Sequence, residues 1–267
     1  MDTGEVSVLE VIEDDNWLWE PGEIKVVPHG RPATIDDLRR TKHKAEIVNG
    51  EMLVIGPSGG LTANAAGNIL ISLHQYKRQH GGGRVFGSRL AYILDLPNRQ
   101  AICPDVSWYT GPDSDGGYLR VAPVFAVEVR DEIDHGDEAE QRMAAKRADY
   151  FAAGTQVVWD VDVLRETLIR ACHSNHPGHA TVYRRGDIAH AEPAVPGWRF
   201  RVDELFDRWP AAAHPASRAP ARRVCDATPV PPAPRCRASH DPPCFRGARA
   251  AGGGAALLAQ QRGAAGA

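Results

Sequence analysis

The 267-residue chain has no run of about eighteen consecutive apolar residues, so nothing in it reads as a membrane-spanning helix. It also lacks the basic-then-apolar start of a secretory leader, opening instead on the acidic MDTGEVSVLEVIEDD. A cytoplasmic protein with no membrane partner is the expectation. The five cysteines (103, 172, 225, 236 and 244) are odd in number, irregular in spacing and without a C-x-x-C pair. That argues against a disulfide framework and a zinc ribbon, leaving free thiols as the simplest reading. Cys225, Cys236, His240 and Cys244 match no zinc spacing either. GPSGG at 56–60 lacks the Gly-Lys-Ser/Thr ending of a phosphate loop, so no nucleotide site is implied. His173, His176 and His179 recur at three-residue spacing, but Pro177 and Gly178 make that stretch a solvated loop without a helical frame for ligands.

What is present is enough for a core: 43% hydrophobic residues, with six Trp and six Phe. The composition changes near residue 210. From 211 to 267, Ala, Pro, Arg and Gly make up 40 of 57 residues with no apolar periodicity, which predicts a disordered tail. Eight Arg against two Asp give that tail a charge of +6, leaving 23 basic against 32 acidic residues, or −9, in the first 210. A basic tail can bind nucleic acid or an acidic surface nonspecifically, although a solvated extension fits the composition better. The organisation read here is an N-terminal extension over 1–30, a domain over 31–210 and a low-complexity tail over 211–267.

Within the domain, Thr34 followed by Asp36 and Asp37 predicts a capped helix through Arg40, and KAEIVNGEMLVIG predicts a hairpin around an Asn-Gly turn. LTANAAGNILISLHQYKRQHGGG places Ala65, Ile69, Leu73 and Tyr76 on one helical face before a glycine stop. RVFGSRLAYILDL, AICPDVSWYT and VFAVEVR read as strands, HGDEAEQRMAAKRADYFAAG as a helix, TQVVWDVDV as a strand, and ETLIRAC with HATVYRR as an antiparallel pair. Strands flanked by two helices point to an α/β or α+β sandwich.

VFAVEVR carries the chemistry. Glu128 stands between two valines, where strand formation does not favour an acid, and an unpaired buried charge costs on the order of several kcal/mol. Asp105, after Pro104, stands in the preceding strand; alone it is more simply a turn-forming Asp. Together the two carboxylates could share a hard cation with a backbone carbonyl, leaving room for water and a phosphate oxygen. Such a site also needs a fixed cation. Arg130, two residues after Glu128, is one candidate. Ala139, Met143, Lys146, Tyr150 and Ala153 form a helical stripe that offers Lys146 as another, unless Lys146 sits at the stripe edge and snorkels to water.

The pieces AEIVNGEMLV, CPDVSWY, FAVEVR, KRADYFAAGTQVVWDVD and VPGWRFRVDELF, in that order over about residues 31 to 207, resemble the Uma-type (Uma-two) putative restriction endonuclease family. That family is a branch of the PD-(D/E)xK nuclease superfamily. The resemblance implies a restriction-endonuclease-like αβββαβ core, a mixed sheet flanked by helices with added β-hairpins, and a DNA phosphodiester site using Mg2+ or Mn2+. It puts the motif aspartate on Asp105, the second acid on Glu128 and the lysine, moved from strand to helix, on Lys146. An additional upstream acid falls on Glu51 or Glu46, which flank a turn where exposed acids are routine. Two departures stand out: residues 61–79 contain no Glu or Asp, and VRDEID follows Glu128 where most relatives read Ser-Pro. Relatives that cut both strands often dimerise, so a homodimer is an expectation. Lys77, Arg78, Arg84, Arg89 and Arg99 are the residues from which a local basic groove could be built. The competing reading, favoured by the −9 domain, is a catalytically inactive binding or structural module on the same fold.

Overall fold

The computed structural model describes residues 19–207 apart from 115, 166 and 167. The low-complexity tail and its Cys225, Cys236, His240 and Cys244 therefore lie outside the described residues. No described helix is long and apolar enough to cross a membrane.

Helix α1, Ile35–Arg40, starts as its sequence predicts. The Thr34 side chain accepts from Asp37 N–H while Asp37 accepts from the Thr34 backbone, a reciprocal cap at both orphan donors. Asn49 and Gly50 both adopt positive φ, 52° and 78°, which is the turn geometry that joins β2, Lys44–Val48, to β3, Glu51–Ile55. One strand was not expected. Ile24–Val27, within the segment set apart as an N-terminal extension, forms β1 and pairs antiparallel with β3. Residues from 19 onward are thus part of the domain, because a two-stranded hairpin with an apolar face gains from a third strand.

Helix α2, Gly60–His80, buries Ala65, Ile69 and Leu73 and stops at Gly81, whose φ of 68° a side chain would resist. The two long strands expected next are each divided between two sheets. β4, Arg84–Gly87, and β5, Tyr92–Ile93, are separated by Arg89 at φ 85°; β6, Arg99–Ile102, and β7, Val106–Tyr109, are separated by Cys103, Pro104 and Asp105. Pro104 has no N–H to give to either ladder, so pairing ends there and the chain passes from one sheet to the other. The first sheet runs β1-β3-β2-β6-β5.

The second sheet also contains β8, Phe125–Val129, β9, Val157–Val161, β10, Ile169–His173, and β11, Ala180–Tyr183, in the order β11-β10-β9-β8-β7-β4. Only β8 and β9 pair in parallel here, linked by α3, Asp137–Ala152, so the sheet is mixed. The order α2-β4-β7-β8-α3-β9 is the expected αβββαβ core. Short strands β12, Ile188–Ala189, and β13, Phe200–Arg201, pair with each other before a 3-10 turn at Val202–Phe206.

Strand alternation assigns the two faces of this sheet. Phe125, Val127 and Val129 join the α2 stripe and the rings of Trp159, Trp198 and Phe200 in one core, where Trp159 stacks on Trp198 at 5.0 Å between centroids. Ala126 joins Tyr150 of α3, Tyr92 and Ile102 of the first sheet, and Tyr109 in another. Glu128 shares the face of Ala126, so it points at α3 and the first sheet, away from the tryptophan core.

Candidate active site

Four elements and the crossing between the sheets bring charged groups to one cavity of about 230 Å³. β2 sends in Lys44 and Glu46, which alternate with the core residues Ala45 and Ile47. β6 sends Arg99, the crossing between sheets sends Asp105, β8 sends Glu128 and α3 sends Lys146. Gly22 and Ile24 close one side, and Asp134 and Arg142 also line it.

Each carboxylate oxygen of the two motif acids has a partner. Asp105 Oδ1 accepts from Lys44 Nζ at 2.6 Å and Oδ2 from Val129 N–H at 2.8 Å. Glu128 Oε2 accepts from Lys146 Nζ at 2.8 Å and Oε1 from Tyr150 Oη at 2.6 Å. Lys146 also lies 2.9 Å from Glu46 Oε1, so one ammonium bridges two acids. Glu46 accepts from Cys103 N–H at 2.9 Å and from Arg99 at 2.7 Å, and Arg99 continues to Asp149 at 2.6 Å. The result is a buried chain of alternating charge, Glu128, Lys146, Glu46, Arg99 and Asp149, with the Asp105–Lys44 pair beside it.

Burial pushes the Glu128 carboxyl up to about 7; Lys146 opposes this, and the neighbouring charge of Asp105 adds to it. Burial works the same way on Glu46, but Lys146 and Arg99 outweigh it and hold that carboxyl below its ordinary value. Burial would lower both lysines, yet Asp105 and Glu128 lift Lys44 above its ordinary value, and Glu128 and Glu46 do the same for Lys146. Both ammoniums therefore stay charged in the pocket, and Glu128 is the acid whose burial they do not outweigh.

Asp105, Glu128 and Lys146, three of the residues singled out in sequence, thus share one cavity. Lys146 points inward, not to the stripe edge. Glu51 does not join them: it is exposed at the turn end of β3 and does not line the cavity. The upstream acid at the site is Glu46, which is 3% exposed; strand alternation in β2 turns it inward, a position the acid-free α2 cannot supply. Arg130 is also elsewhere. Its guanidinium, 1% exposed, is held by Asp160 at 2.6 and 2.8 Å, by Glu140 and by the Asp134 carbonyl. The unusual VRDEID segment forms a 3-10 turn at Glu132–Asp134, and Asp131 accepts from Gly59 N–H at 2.9 Å, tying that turn to the start of α2.

Sequence reasoning missed Lys44, Tyr150 and Arg99 as site residues. Lys44 carried one readable signal, its two-residue offset from Glu46 on an otherwise apolar strand; Tyr150 lay on the recognised stripe. Arg99 was named only among residues from which a basic groove could be built; in the structure Arg99 is buried, Arg84 caps the 111–113 loop, and Arg89 donates to the Lys42 carbonyl.

A family model described as Uma2, putative restriction endonuclease, matches residues 32–203, which contain every charged residue of the site above. The chain belongs to the Uma2 family. Its fold is similar to the crystal structure of a putative nuclease belonging to DUF820 from Anabaena variabilis ATCC 29413. The TM-score is 0.53 at 14% sequence identity, over 66% of this chain and 98% of that one. No curated protein matches the chain. For a Uma2 protein the fold alone does not settle the chemistry, and what the cavity does must be argued from its own groups.

Proposed function

We propose that this Uma2 protein is a divalent-metal-dependent endonuclease that hydrolyses DNA phosphodiester bonds, with Asp105 and Glu128 as the residues that would hold Mg2+ or Mn2+. The observation that carries this is the meeting of Asp105, Glu128 and Lys146 in one cavity where the two sheets and α3 join. The donor set fits a hard cation in its chemistry: two carboxylates contribute oxygens with spare lone pairs, and a cation beside Glu128 would offset the burial that lifts its carboxyl. Among the described residues no three His, Cys, Asp or Glu side chains are grouped to hold a metal, so water and main-chain oxygen would complete the ligand set. When bound, the cation supplies an activated water and charge stabilisation at the phosphate.

The remaining chemistry belongs to the chain. Val129 N–H and Tyr150 Oη fix the two carboxylates, so neither has to reorganise when substrate arrives. Lys146, braced between Glu128 and Glu46, orients the attacking water and a phosphate oxygen from a position set by packing rather than by a mobile surface stem. A pair of copies, one for each strand, is part of the same proposal and is checked by sedimentation.

One observation favours the alternative, an inactive module: Lys44 and Lys146 already pair with both motif acids. Plasmid nicking by the full-length protein in Mg2+ or Mn2+ separates the two readings. Asp105→Ala and Glu128→Ala are expected to abolish nicking, and Lys146→Met to slow it by on the order of 10²–10³, as for loss of one preorganised donor. Wild-type protein that binds DNA without nicking it, and shows no Glu128-dependent heat on metal titration, establishes the module instead.

A further inference from the structure

The buried ions around the cavity form a connected set. Glu46, Asp105, Glu128 and Asp149 meet Lys44, Arg99 and Lys146 in contacts of 2.6 to 2.9 Å, and Asp131, Asp134 and Arg142 line the same cavity. Because uncompensated buried charge is costly, a metal cation that displaced one of these ammoniums would favour a new anionic partner for it, which a phosphodiester group supplies.

The three cations are not held alike. Lys146 sits between Glu128 and Glu46, and Arg99 between Glu46 and Asp149, so each is fixed from two sides. Lys44 has a single ion-pair partner among the described residues, Asp105 Oδ1. The other oxygen of Asp105 is anchored by Val129 N–H at 2.8 Å, so the carboxylate keeps its place when the ammonium leaves. The lysine stem has four rotatable carbons and a compact charged head, which can swing within the cavity that Lys44 itself lines.

We propose that Lys44 is an exchangeable counter-ion and second phosphate ligand. It occupies Asp105 Oδ1 in the metal-free protein, gives up that oxygen to the divalent cation, and turns its ammonium to the phosphate. This rests on the metal-dependent reading above and adds a distinct residue to it. It also accounts for a lysine on each motif acid without making the site inert.

The test uses full-length protein and two readouts that move in opposite directions. In calorimetric titration with Mn2+ alone, Lys44→Met is expected to bind the ion several-fold more tightly than wild type, because the competing ammonium is gone. In nicking assays the same variant is expected to show a raised KM and a lowered kcat, with Lys44→Arg restoring part of both. A lysine that only supports the fold would weaken metal binding and activity together. Wild type that binds Mn2+ and nicks DNA, alongside a Lys44→Met variant that binds Mn2+ no more tightly, overturns the role of Lys44 and leaves the nuclease reading intact. Wild type that does neither overturns both. Should Lys44→Met fail to fold, amine labelling of wild-type protein, read by mass spectrometry, decides: modification of Lys44 by acetic anhydride is expected to rise on adding Mn2+, and unchanged labelling overturns the exchange.

Discussion

Burying Glu128 inside β8 would cost on the order of several kcal/mol if it stood alone. α3 answers with two groups one turn apart, Lys146 Nζ and Tyr150 Oη, both within hydrogen-bond distance. The hydroxyl is the separable part of this arrangement. Tyr150→Phe keeps the ring in its core beside Tyr92, Ala126 and Val158 but leaves Glu128 Oε1 without its donor. We expect a stability loss of about 1–3 kcal/mol in urea denaturation; an unchanged midpoint would show that the hydroxyl does not hold the acid. At this scale the sequence was partly legible. An acid among valines and a lysine on an apolar stripe are local anomalies, visible without knowing the fold. Lys44 carries only a weak signal, its two-residue offset from Glu46 on an otherwise apolar strand. Its role depends on a second sheet packing over it, which no local pattern encodes.

Elements with their own local logic were read well. The α1 cap needs only Thr34 and Asp37 three residues apart, and the α2 stripe needs only its period. The divided strands were not, because apolar runs on either side of Pro104 and Arg89 look continuous and only the pairing partners reveal that they belong to different sheets. The α1 cap also makes a pH prediction. Asp37 is held well below the ordinary carboxylate range, chiefly by its hydrogen bonds from Arg31 at 2.8 and 2.9 Å, against burial, with Thr34 adding further donors. A depressed folded-state value means that the unfolded chain takes up the proton first. The contribution of Asp37 is therefore fully present above about pH 4 and is lost as pH falls below that value. Thermal melts from pH 6 to pH 3 should show wild type losing more stability than Asp37→Asn over that acid window. Parallel curves would mean that Arg31 and Thr34 do not hold the charge in solution.

At the scale of the molecule, an acidic domain must approach an anionic polymer. The first 210 residues carry −9, and Arg84, Arg89 and Arg99 are committed to internal contacts, which leaves Lys77 and Arg78, in the last turn of α2, as the surviving members of the basic groove considered from sequence. Under the proposed function, nonspecific attraction to DNA must then draw heavily on the eight arginines of residues 211–267. Each phosphate neutralised by such a group contributes about 0.9 to the slope of log affinity against log salt. Replacing those eight arginines with glutamine is expected to flatten the measured slope by as much as about 7 and to weaken binding at low salt far more than at high salt, with kcat at saturating DNA unchanged because the cavity is untouched. A slope that does not move would place the phosphate contacts in the folded domain itself, beside the cavity where Lys44 and Lys146 lie.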